Sequence, residues 1–261
     1  MDGRLFNALY REVTRASKPS VDSRRAGRPR LYATRDILLV WTYAALIDRP
    51  ISVARKKLLI EEVGWTMHGP LAIPSLATLS RRSRTGEFRK LLRRVLRRVR
   101  RRLAERPADL VAMDSTFLLT GPYSRDSDSR WTCHGGKGFR GYALHTICDR
   151  NGVLWAWSVT SANVQEMRVA RRLVRQLALF GPVRWIIADS GYDSEPLHQL
   201  VRWRLGGRML APLNLRGAKT DRWRDRQPGR RFADRMLRTR HGAQLLDERA
   251  HVERWYSAFK A

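Results

Sequence analysis

Leu110-Val111-Ala112-Met113-Asp114-Ser115-Thr116-Phe117-Leu118-Leu119 is an apolar run of strand length with a carboxylate at its centre. A charge inside a buried strand is costly unless something pairs with it. Two more acids stand in comparable surroundings. Asp189 ends the run Trp185-Ile186-Ile187-Ala188-Asp189, and Glu253 lies in Arg249-Ala250-His251-Val252-Glu253-Arg254-Trp255-Tyr256. For three converging carboxylates the least costly shared partner is an oxygen-preferring divalent cation, Mg²⁺ or Mn²⁺.

Outward from this run, strand signals dominate the C-terminal side. Gly141–Cys148 and Val153–Thr160 flank Asp149-Arg150-Asn151-Gly152, a strong hairpin turn. A helix is expected from Asn163, with Glu166 three positions on as a capping-box partner. Its apolar stripe is Met167, Ala170, Leu173, Val174 and Leu177, and Gly181-Pro182 stops it. Val183–Ala188 reads as a short buried strand, Leu197–Leu205 as a helix, and Arg208–Pro212 as a last strand. Residues 214–231 read as a basic loop, and a final helix begins near Gly242 and runs to the end. A hairpin leading into βα units predicts an α/β domain, a mixed sheet with helices on its faces.

On the N-terminal side the pattern is helical. Asp36–Ile47, Ile51–Val63, Ser75–Ser83 and Glu87–Leu103 carry helical apolar spacing, and Pro107 ends the last of them. In Glu87–Leu103, Phe88, Leu92, Val95, Val99 and Leu103 make one stripe and arginines fill most of the rest. Residues 1–33, with Gly27-Arg28-Pro29-Arg30, read as a basic arm or linker. The expected organisation is therefore an arm over 1–33, a small all-α region over 34–107 and an α/β domain over 108–261.

The chain has 261 residues, with 52 Lys and Arg against 24 Asp and Glu, a net charge of +28. Such an excess repels itself in a compact state, so a polyanionic partner is expected, nucleic acid first and an anionic membrane surface second. Most of the charge is arginine, which GC-rich coding also favours, so charge alone carries little weight. No apolar run is long enough to span a membrane, and the N-terminus lacks a signal-like segment. Cys133 and Cys148 form no CxxC pair, which points to a reducing cytoplasm and away from a zinc module.

Asp114 at mid-strand and Asp189 at a strand's carboxyl end can share a metal if their strands are neighbours, since α/β sheets bind ligands at that edge. On the terminal helix Leu246, Arg249, Glu253 and Lys260 follow at spacings of three, four and seven, near one face. That face would present a metal ligand flanked by two cations. Two metals can activate a water or 3′-hydroxyl and stabilise the leaving oxygen of an in-line displacement.

These segments resemble the DDE transposases of bacterial insertion sequences, which have a ribonuclease H-like catalytic domain. The resemblance is carried by Ala112–Thr116, Gly138–His145, Ala162–Glu166, Ala188–Ser194 and Arg249-x3-Glu253-x6-Lys260. The last matches the family's Tyr-x2-Arg-x3-Glu-x6-Lys signature, with Leu246 in place of the tyrosine. The resemblance implies Asp114, Asp189 and Glu253 as the catalytic, Mg²⁺- or Mn²⁺-binding triad. It implies DNA contacts at Arg249 and Lys260, and recognition of DNA ends by the helical region. Lys137, Arg140, Arg93 and Arg97 are further candidate DNA contacts. The implied partners are double-stranded DNA, both terminal inverted repeats and target, and a second copy of the chain in a synaptic complex. The chain ends one residue after Lys260, so an early C-terminus would bear on activity more than on fold.

Blander readings compete. A lone strand Asp is usually a turn or cap residue, and a lone helix Glu faces solvent. His145 reads first as a structural histidine, Asp193 and Asn163 as caps, and Trp155 and Trp157 as core or sheet surface. Lys137 in Gly135-Gly136-Lys137-Gly138 lacks phosphate-loop spacing, and Cys133-His134 has no partners for zinc. Two rivals to transposition remain open: a nuclease or resolvase on the same fold without strand transfer, and a non-catalytic DNA-binding remnant.

Overall fold

The computed structural model describes residues 3–17, 32–47, 49–60, 65–66, 69–70, 73–103, 107–121, 123–134, 136–214, 227–250 and 253. It divides into two compact units, Met1–Arg102 and Leu103–Ala261.

The first unit is helical: α1 (Gly3–Ala16), α2 (Thr34–Leu46), α3 (Ile51–Ile60), α4 (Leu76–Ser83) and α5 (Gly86–Leu103). A two-residue antiparallel ribbon, β1 (Trp65–Thr66) with β2 (Gly69–Pro70), joins α3 to α4. Ser75 caps α4 by accepting from Thr78 N at 3.3 Å. Tyr10, Val13, Ile37, Tyr43, Leu58 and Leu79 pack with Phe88, Leu91 and Val95 of α5 in one core. The arm expected over 1–33 is corrected in its first half, because α1 is a packed helix. Tyr10, Val13 and Ala16 recur every third residue and are buried. Glu12, also buried, pairs with Arg98 at 3.1 Å and Arg102 at 2.8 Å, tying α1 to α5. Gly27–Arg30 lies outside the described residues.

The second unit contains β3 (Leu110–Leu119), β4 (Arg130–His134), β5 (Lys137–Asp149), β6 (Leu154–Ser161), α6 (Glu166–Leu177), β7 (Trp185–Ile187), α7 (Glu195–Leu205), β8 (Arg208–Leu210), α8 (Pro228–Leu237) and α9 (Arg240–Asp247). β5 pairs antiparallel with β3 on one side and with β4 and β6 on the other. Beyond β3 lie β7 and then β8, both parallel to it. Four antiparallel strands continued by two parallel ones, with helices on both faces, is the mixed ribonuclease H-like α/β sheet expected from the sequence.

The alternation of β3 sorts the two layers. Val111 and Met113 join Ile147 and Trp155 under α6 and α7, against Val169, Leu173, Leu177, Leu197 and Val201. Ala112 joins Leu144, Cys148, Ile187 and Leu210 on the opposite face, against Ala233, Phe232 and Met236 of α8 and Leu245 of α9. At the hairpin, Asp149 Oδ1 accepts from Asn151 N and Val153 N, and Gly152 takes φ 75°. Asp149 Oδ2 also accepts from the buried Trp155 indole at 2.9 Å, so Trp155 is core.

Two elements depart from the sequence reading. β4 was not expected; Trp131 and Cys133 are exposed, so it pairs without an apolar stripe. The loop expected over 214–231 is corrected at its end, where Pro228 opens α8 and residues 215–226 lie outside the described set. α8 starts with Pro at its first position and its Gly229 and Arg230 amides donate to Glu195 at 3.1 Å each.

Candidate active site

β3 and β7 run side by side in parallel, with Ala112 opposite Ile187. Two residues further on, the paired strands carry Asp114 and Asp189 to the same carboxyl edge of the sheet. Asp189 caps the 3₁₀ turn Ser190–Tyr192, its Oδ1 accepting from Gly191 N at 2.9 Å. Asp114 Oδ1 accepts from Ser115 N at 2.9 Å. Each acid therefore makes the local contact that the bland reading anticipates, and each is also part of something larger.

The larger feature is a gathering of charge around Asp114. Burial raises its pKa to about 6, and nearby Asp189 and Glu166 push the same way. The Ser115 amide and the Arg249 guanidinium oppose the rise. Asp114 is thus in electrostatic reach of both Asp189 and Arg249. Arg249 and Glu253 are helical and ion-paired at 2.8 Å, and the Glu253 side chain is 55% exposed. Glu253 is ion-paired to Arg249, which is itself in electrostatic reach of Asp114. Lys260 lies outside the described residues.

Glu166 is the residue that sequence reasoning assigned elsewhere. The capping box with Asn163 does not form; Gln165 is the N-cap of α6 and its side chain makes no capping bond. Glu166 Oε1 instead accepts from Ser115 Oγ at 2.5 Å, across the sheet edge from α6 to β3. A Cβ added at Gly191 would stand 3.0 Å from Asp189 Oδ1 and 3.1 Å from Glu166 Oε2. The two carboxylates thus border the same point beside the Gly191 backbone, where any side chain would be crowded. The signal was present in Ala162–Glu166, one of the segments carrying the resemblance, but the cap explained the acid without calling on it.

The donor set of this edge is all carboxylate oxygen, with like charges crowding Asp114, and suits a hard divalent cation. Among the described residues no three His, Cys, Asp or Glu side chains are close enough to clasp one ion as they stand.

Over residues 105–261 the chain matches a family model described as a transposase DDE domain. The chain belongs to that family. None of the curated proteins matches it. Membership makes this a transposase-family chain, with DNA as the substrate class. No helix among the described residues is long and apolar enough to cross a membrane.

The remaining residues singled out in this DDE transposase chain divide. Arg140 donates through Nη1 to Ser124 O at 2.7 Å and through Nη2 to Asp126 O at 2.9 Å, so its guanidinium braces that loop. Lys137 is exposed at the start of β5, opposite His134, roughly 30 Å along the strand from the partner of Asp114. His145 is buried, its Nε2 3.0 Å from Thr160 Oγ1, and burial lowers its pKa to about 4. A neutral, strand-bound imidazole is the structural histidine that was expected. Asp193, expected as a cap, is an anchor. It accepts from Arg230 Nε at 2.8 Å and Asn214 N at 2.8 Å, and lies 3.3 Å from His198 Nε2. These partners, His198 first, hold its carboxyl below the ordinary value against the cost of burial.

In the first unit Lys90, Arg93, Arg94 and Arg97 line one open surface of α5. Arg94 donates to Ala16 O at 3.0 Å; Arg93 and Arg97 are exposed and make no ion pair among the described residues. Arg100 beside them has its pKa lowered to about 10 by burial and by Arg97, the mark of crowded like charge.

Proposed function

We propose that this chain is a divalent-metal-dependent transposase that cuts DNA at the ends of its element and joins them to target DNA. The observation that carries the reading is the parallel β3–β7 pair, which sets Asp114 and Asp189 at one sheet edge with Arg249 in electrostatic reach. Asp114 and Asp189 would hold Mg²⁺ or Mn²⁺, with Glu253 completing the site. When bound, the ions supply activation of water or a 3′-hydroxyl and neutralise charge on the leaving oxygen.

The protein's own part follows from its charges. Arg249, paired with Glu253, would bind the phosphate next to the cut and hold Glu253 toward the site. Lys260, in the same motif, would grip a neighbouring phosphate. Arg93 and Arg97 offer an exposed cationic surface for the DNA backbone, consistent with end recognition by the helical unit. Two ends must be held together, so a second copy of the chain is part of the proposed complex.

The test uses a duplex carrying the inverted repeats that flank the gene. Nicking in Mg²⁺, followed by joining of a pre-cut 3′-hydroxyl end to a plasmid, is the expected result. Nicking without joining would place the chain with the nucleases of this fold instead, and salt-sensitive binding with neither would make it a non-catalytic remnant.

A further inference from the structure

The acid edge contains a carboxylate for which the triad has no use. Glu166 sits in the first turn of α6, and its two oxygens have different surroundings. Oε1 accepts from Ser115 Oγ at 2.5 Å. Oε2 and Asp189 Oδ1 border the same point beside Gly191, 3.1 and 3.0 Å from where its Cβ would stand. Packing two carboxylates this closely is unfavourable unless a cation joins them. An ordinary helix-start Glu turns to its own backbone or to solvent; this one is anchored to the neighbouring residue of Asp114.

Tyr192 is an independent sign that a ligand belongs here. Its ring is 1% exposed, and its hydroxyl, beside Ser115, makes no well-aligned hydrogen bond among the described residues. Its closest charged neighbours are Glu166, Asp114 and Asp189, with Ser115 alongside. A buried hydroxyl left without a good partner is unfavourable. A buried hydroxyl without a well-aligned partner, in electrostatic reach of three acids, marks a place where an oxygen-rich ligand completes the site.

We propose that Glu166 is a fourth carboxylate of the metal site, holding the divalent cation together with Asp189 through Oε2 while Ser115 fixes its orientation through Oε1. This rests on the metal-dependent reading above and adds to it a ligand from α6, on the opposite side of the sheet edge from the Arg249–Glu253 segment. The cation would then be gripped from both faces of the sheet. A site built this way keeps two ligands, Asp189 and Glu166, before the terminal helix takes any part.

The test is Mn²⁺ binding to the full chain, followed by electron paramagnetic resonance of the free ion, with melting temperature measured without metal as a control. Glu166→Gln preserves shape and can still accept from Ser115. It is expected to bind Mn²⁺ about tenfold more weakly or worse, with an unchanged metal-free melting temperature; Asp189→Asn should also lose Mn²⁺. If Glu166→Gln binds Mn²⁺ as tightly as the unaltered chain while Asp189→Asn does not, the inference fails and the metal-dependent reading stands. A lowered metal-free melting temperature would give Glu166 a structural role and overturn the inference too. If the unaltered chain binds no Mn²⁺, both fail.

Discussion

Single residues in this chain are informative when their partners are counted. Asp193 was legible only as a cap, because its partners Asn214 and Arg230 are distant in sequence; folded, it joins α7, the segment after β8 and α8. Arg230→Met should destabilise the chain by about 3 kcal/mol, read by denaturant unfolding, since it strips a buried carboxylate of its ion pair. An effect under 1 kcal/mol would mean that His198 and Asn214 suffice. His145 was legible as structural, and its burial sets a pH dependence. Its folded pKa, about 4, lies below the ordinary 6.5. Its neutral form therefore supports the fold above pH 6.5, and that support is lost as pH falls toward 4. His145→Gln should lose less stability than the unaltered chain over that window, measured by thermal unfolding at stepped pH. Asp114, raised to about 6, acts in the opposite sense, gaining stability on acidification from about 6 toward 4.

Elements were legible where sequence and environment agree. β3 matches its predicted bounds because an apolar run between Pro107 and Gly121 has one way to be buried. The Asp149–Gly152 turn was equally plain, since Asn and Gly there have specific backbone duties. β4 was not, because an exposed edge strand has little apolar alternation to show. α8 was hidden by Gly229 and a cluster of arginines, and its start is fixed by Glu195, which no local pattern reports. α9 sits tightly on the end of α8: a Cβ at Gly242 would meet Met236 O at 2.0 Å. Gly242→Ala should cost about 1–3 kcal/mol. It should also displace the helix leading to Arg249, lowering DNA cleavage more than DNA binding. Equal losses of both, by gel shift and nicking assay, would count against a positioning role for α9.

At the scale of the whole molecule, charge and acid placement divide the work. The excess of +28 was legible from composition, and the helical unit displays part of it on one surface of α5. If Arg93 and Arg97 each neutralise a phosphate, replacing both with Ala should flatten the plot of log affinity against log salt by about 2. An unchanged slope would remove that surface from the DNA contacts. The fold class and the strands that carry Asp114 and Asp189 were readable from the chain, because apolar runs around a lone carboxylate have few explanations. Glu253 was readable from spacing alone, and its side chain is half exposed and held by Arg249. Glu166 was not, because a local cap accounted for it until the sheet edge was assembled.

The central claim is that Asp114 and Asp189 make a metal-dependent phosphodiester-cutting site. The most direct measurement compares the unaltered chain with Asp189→Asn on a duplex bearing the element's own ends, scoring cleavage in Mg²⁺ and binding by gel shift. The account predicts that cleavage is abolished and binding is retained. Metal-dependent cleavage surviving in Asp189→Asn would contradict it.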